Sequence, residues 1–143
     1  MNHKVTIELR SVQSMDGEKE EQSKTYRGRL RIADSETVLQ YMTEEETGRV
    51  HTTLTLQEGT CLLNSRGVRQ VDMEFLPGKK TNGTMRLSFG ELKMEIRTKR
   101  YEVAWKEGRE PALDVNLVYE LSYEKEAAAE HHLQISVRPI EQG

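Results

Sequence analysis

The sequence has one cysteine, Cys61, so it closes no internal disulfide and builds no thiolate metal cage, and both absences point to a reducing compartment. Long apolar runs are missing as well. No segment approaches the roughly 20 consecutive apolar residues that a membrane-spanning helix needs. The first residues, Met1-Asn2-His3-Lys4-Val5-Thr6-Ile7-Glu8, alternate polar with apolar and lack the apolar core of a signal peptide. A cytoplasmic protein with no membrane partner is the expectation. Aromatic residues make up 6% of the chain and apolar residues 35%, against 31% charged, so a core must be built from few side chains placed regularly. The net charge of -3 supplies no field that would gather polyanions, and no nucleic-acid partner is expected. The length of 143 residues suits one domain, residues 1–143.

What is there is a period of two. Leu113, Val115, Leu117, Tyr119, Leu121 and Tyr123 take alternate positions, while Asp114, Asn116, Glu120, Ser122 and Glu124 fill most of the gaps, which is the pattern of a strand with one wet face. The same alternation runs through Val5, Ile7 and Leu9; Tyr26, Leu30 and Ile32; Val50, Leu54 and Leu56; Val71, Met73 and Phe75; and Leu133, Ile135 and Val137. No helical period extends over a useful length, and Glu124-Lys125-Glu126-Ala127-Ala128-Ala129-Glu130 is too short for an isolated helix, so it reads as a loop with one helical turn at most. Turn signals punctuate the chain at Asp16-Gly17, Asp34-Ser35, Glu58-Gly59, Arg66-Gly67, Pro77-Gly78, Asn82-Gly83 and Gly108 with Pro111.

One hairpin register follows from the turn. In Phe89-Gly90-Glu91-Leu92, glycine at the first central position suits a two-residue type II′ turn. Phe89 is then expected opposite Leu92, Leu87 opposite Met94 and Met85 opposite Ile96, with Ser88 against Lys93 and Arg86 against Glu95 on the other face. The whole pattern predicts an all-β fold, an antiparallel up-and-down meander closed into a barrel of about eight to ten strands. A barrel of this size is either filled by its own side chains or roomy enough for one small ligand.

From Thr53 onward the chain resembles the YwiB-like proteins, an uncharacterised bacterial family with a lipocalin-like, or calycin-like, β-barrel. The residues concerned are Thr53-Leu54-Thr55-Leu56, Arg66-Gly67, Met73-Glu74-Phe75, Pro77-Gly78, Phe89-Gly90-Glu91-Leu92 with Ile96-Arg97-Thr98, and Tyr119-Glu120-Leu121. The resemblance implies the barrel. That family has no established activity, so the resemblance implies no functional residues.

Two groups of side chains are candidates for function. Tyr26, Tyr119, Tyr123 and His131 share the apolar phase of their strands, and an aromatic interior with hydroxyl tips suits a small apolar or amphipathic ligand; ordinary core packing is the other reading. Arg27, Arg29 and Arg31 share the opposite phase, where their guanidinium groups fit an acidic protein partner or a phosphate, or else pair with glutamates of neighbouring strands. His131 and His132 are adjacent and point to opposite faces, His51 lies out of the apolar phase, and no metal-ligand spacing occurs. Cys61 falls in strand phase as a small buried hydrophobe. Nucleophile-elbow, phosphate-loop and cofactor signatures are absent, so neither catalytic residues nor a cofactor is expected, and a non-enzymatic binding protein or interaction module is.

Overall fold

Alternation commits one face of every strand to the inside, and the chain satisfies all of these faces at once by rolling its sheet up. The computed structural model describes residues 2–124 and 126–140. The strands are β1 (Asn2–Met15), β2 (Glu18–Ile32), β3 (Thr37–Glu45), β4 (Gly48–Gln57), β5 (Thr60–Gly67), β6 (Gln70–Phe75), β7 (Lys80–Leu87), β8 (Gly90–Lys106), β9 (Ala112–Tyr123) and β10 (Ala129–Pro139). Each pairs antiparallel with the next, and β1 pairs with β10, so the ten strands form a closed barrel. The loop between β9 and β10 contains no helix among its described residues; Lys125 lies outside them.

The interior is packed rather than hollow. Val5, Ile7, Leu30, Leu39, Leu54, Phe75, Ile96, Leu113, Leu117 and Val137 are fully buried and belong to one apolar cluster. Each such side chain contributes about 1.5 to 3 kcal/mol by leaving water. Toward the end marked by the β1–β2 turn, the inward positions become polar or aromatic: Tyr26, Tyr41, Thr52, Ser65, Tyr119 and His131. Thr52 and Ser65, both buried, satisfy each other through a hydroxyl contact of 3.0 Å.

The β7–β8 hairpin departs from the register expected from Gly90. Leu87 pairs with Gly90, Arg86 with Glu91, Met85 with Leu92, Gly83 with Met94 and Thr81 with Ile96. The turn residues are therefore Ser88 and Phe89, and Phe89 is 82% exposed instead of facing Leu92. Gly90, at φ +153°, closes the turn in the last position, a place that type I turns also reserve for glycine. The offset is an even number of residues, so the inward face is unchanged and Met94 and Ile96 stay buried. The same register puts Asn82-Gly83 inside β7, not at a turn. A Cβ on Gly83 would lie 2.7 Å from the Asp72 backbone oxygen and 3.1 Å from Ile96 Cδ1, so this glycine serves close packing between strands.

A second irregularity lies in β8. Its register against β9 shifts between Thr98 and Arg100, a bulge at Lys99 that moves the inward phase from Met94, Ile96 and Thr98 to Tyr101, Val103 and Trp105. Lys99 swings outward and its Nζ meets Glu120 at 2.9 Å and Glu130 at 3.1 Å, which ties the bulge to β9 and β10.

Gly28 makes the tightest strand contact near the split described below: a Cβ there would sit 2.3 Å from the Gln40 backbone oxygen and 2.6 Å from Ile7 Cδ1. Gly28→Ala is expected to cost about 1 to 3 kcal/mol through forced displacement of β3, read as a lower urea midpoint; an unchanged midpoint would contradict the contact.

Candidate functional site

The ladder between β2 and β3 is short. It runs only from Ile32↔Thr37 to Gly28↔Tyr41, whereas β2 stays paired with β1 as far as Glu18 and β3 stays paired with β4 as far as Glu45. Beyond Gly28 the two strands part, and the wall of the barrel has a split at its β1–β2 end. Tyr26 and Tyr41 fill the base of this split, their rings stacked with centroids 5.2 Å apart and planes at 16°. Above them lies an open cavity of about 340 Å³, bordered by Leu9, Lys24, Thr43, Glu45, Thr52 and Arg69 as well as by the two tyrosines.

The charges around this cavity are set by geometry. Arg69, from the β5–β6 turn, donates from Nε and Nη2 to Glu45 at 3.0 to 3.1 Å, a forked pairing that holds the carboxyl below its usual range, with Lys24 adding to the effect. Burial, and then the neighbouring Tyr26 phenol, push Tyr41 up to about 12, so its hydroxyl stays protonated and able to donate at neutral pH. A small molecule entering the split meets an aromatic face, hydroxyl groups and a fixed ion pair, the mixture of apolar wall and few polar anchors that binding clefts use.

The four interior residues expected from sequence gather toward this same end. Tyr119 stacks on His131 with centroids 5.1 Å apart and planes at 6°, and its other neighbour is Phe75 at 4.8 Å. Burial holds the Tyr119 phenol well above its ordinary value, and Tyr123 and Tyr41 add to that. Tyr26 lines the cavity directly, whereas Tyr119, Tyr123 and His131 do not line it and lie in the inward phase of β9 and β10. Tyr41, Lys24, Glu45 and Arg69 were not anticipated. The available signal for Tyr41 was the alternation Leu39, Tyr41, Thr43; Arg69 carries none, because a turn residue has no phase.

Arg27, Arg29 and Arg31 do share the outer face of β2, exposed to solvent. The glutamates expected beside them are not there. Across from the three stand Thr6, Lys4 and Asn2 on β1, and Gln40 and Val38 on β3 flank Arg29 and Arg31. Among the described residues only Arg31 has a carboxylate in reach, Glu36 of the following loop at 3.8 Å. Cys61 is fully buried, and burial pushes its thiol up to about 12, which leaves no thiolate at neutral pH. No group of three or more His, Cys, Asp or Glu among the described residues is placed to hold a metal ion.

His131 supplies a pH test of the stacked pair. Burial lowers its proton affinity in the barrel, so the unfolded chain takes up a proton near pH 6.5 while the folded chain does so only at lower pH. Stability present above about pH 6.5 therefore falls as pH drops through the window beneath it. Urea midpoints at about pH 7.5 and about pH 5 should drop more for the wild type than for His131→Asn, which cannot titrate; equal drops would mean that His131 is as well hydrated folded as unfolded.

Comparison with known proteins places the barrel in a family. The chain is 28% identical over 95 residues to the uncharacterized β-barrel protein YwiB of Bacillus subtilis (strain 168), covering 66% of this chain and 67% of that protein. The crystal structure of YwiB from Bacillus subtilis superposes with a TM-score of 0.85 at 22% identity, covering 98% of this chain and 94% of the other, and so shares the fold. The family model described as a domain of unknown function (DUF1934) matches residues 7–135, and the chain belongs to that family.

Proposed function

We propose that this protein is a non-enzymatic binding protein that holds a small apolar or amphipathic molecule at the mouth of its barrel, in the split between β2 and β3. The observation that carries this reading is the stacked Tyr26 and Tyr41 pair at the base of an open cavity, in the one stretch where β2 leaves its neighbour. The use is lipocalin-like in that a barrel presents the site, but the packed interior moves the ligand from the lumen to its rim. Burial of the lone cysteine Cys61 as an un-ionised thiol fits a cytoplasmic setting.

The apolar fluorophore N-phenyl-1-naphthylamine is a suitable probe. It should bind saturably, and Tyr26→Ala or Tyr41→Ala should weaken it about tenfold, the order expected for losing one stacked aromatic face. Amide shifts in a two-dimensional NMR titration should centre on residues 24–26 and 41–45. Binding that is unaffected by either substitution would rule the site out.

A second reading has its own observation: Arg27 and Arg29 stand exposed with no carboxylate partner among the described residues. Such a stripe suits an acidic protein surface, because forked guanidinium groups pair well with carboxylates. Arg27→Glu combined with Arg29→Glu should remove partners captured from a lysate by the wild-type chain; an identical set of captured proteins would count against an interaction role for this face.

A further inference from the structure

The end of the barrel opposite the tyrosine pair holds another cavity, of about 660 Å³, that the mouth reading does not use. One wall exists because of the β8 bulge, which turns Tyr101, Val103 and Trp105 inward; Ile32 and Leu56 face them. Trp105 occupies a core phase and pairs with the fully buried Leu113, yet it remains 49% exposed, so a large ring borders the cavity with one side uncovered. Tyr101 donates its hydroxyl to the Gln57 backbone oxygen at 3.1 Å, which fixes that ring in the wall. Thr37, only 8% exposed, also lines the cavity.

The charge of the lining has one sign. Asp34, Glu36 and Glu58 contribute to it and no lysine, arginine or histidine does. Glu36 is occupied, accepting from Gln57 Nε2 at 3.3 Å with Arg31 at 3.8 Å, whereas Asp34 and Glu58 have no cationic partner among the described residues. An exposed indole face attracts a cation within about 6 Å of its centre, uncompensated carboxylates add to that attraction, and apolar walls accept a hydrocarbon body. We propose that this cavity is a second binding site, which takes a small organic ammonium cation with an apolar body against Trp105, between Asp34 and Glu58.

Trp105 is the only tryptophan in the chain, so its fluorescence reports from this site alone. Titrating the full-length protein with benzyltrimethylammonium should change that emission saturably, and benzenesulfonate, an aromatic ion of opposite charge, should bind at least about tenfold more weakly. Asp34→Asn with Glu58→Gln should lower the affinity for the cation about five- to tenfold and remove most of the charge preference, with unchanged circular dichroism; added salt should weaken the wild type more than the variant. Glu58→Gln alone, at an exposed turn, repeats the measurement if the double substitution disturbs the β2–β3 loop. Absence of a saturable response to the cation, equal affinity for the sulfonate, or a preference undiminished in the variants would overturn the proposal. None of these results touches the mouth reading, since Tyr26 and Tyr41 lie at the other end.

Discussion

The pairing of the first strand with the last is the constraint on which the rest of the molecule depends. β1 and β10 run in register from Val5↔Pro139 to Ser14↔Glu130, and Ile7 meets Val137 there with both side chains fully buried. Bringing the two ends of the chain together costs closure entropy that no local contact repays. Once made, the seam turns a ten-stranded ribbon with one wasted face into an interior where the buried apolar side chains form one cluster, and it abolishes the outer edges of the sheet. The apolar content of the chain is modest, and such a chain cannot leave one face of a sheet uncovered.

Closure also explains where the features of interest lie. A regular ladder between tightly packed strands leaves no room for a visitor, and the two cavities proposed as binding sites lie where regularity fails. The β2–β3 ladder ends at Gly28, and Tyr26 and Tyr41 stack on each other where the two strands part. The bulge at Lys99 reverses the phase of the longest strand, so that Tyr101 and Trp105 arrive inside a barrel whose preceding residues would have sent them out. Both irregularities have local supports, the forked Arg69 and Glu45 pair at one end and Lys99 between two glutamates at the other.

Much of the barrel was legible in the sequence, because alternation is a strong signal wherever one face is dry. The inward phases of β1, β2, β4, β6, β9 and β10 were all readable, including the inward turn of His131 and the outward turn of the three arginines. The β7–β8 register was not. Gly90 fits two turns that differ by an even number of residues, and hydrophobic alternation cannot tell them apart because both leave the same face inside. The observed register sets Gly83 opposite Met94, with the Asp72 backbone oxygen and Ile96 Cδ1 close against its bare backbone, contacts between strands that no local pattern encodes. The bulge did leave a trace, since the apolar positions switch from even at Met94 and Ile96 to odd at Tyr101 and Val103. Of the mouth cavity, Tyr26 was legible and Arg69 was not, because its role comes from a turn that folds back over the split.

The split leaves one side of β2 from Glu18 to Arg27 without a neighbouring strand, a row of backbone donors and acceptors that would ordinarily invite a foreign strand to zip alongside. The side chains along it are almost all charged or strongly polar, with Lys19, Glu20, Glu21, Lys24 and Arg27 mixing both signs. Any intruder would have to strip water from several ions at once, a penalty that the gained ladder does not recover. These charges oppose edge-to-edge pairing and so act as gatekeepers for the gap in the barrel wall.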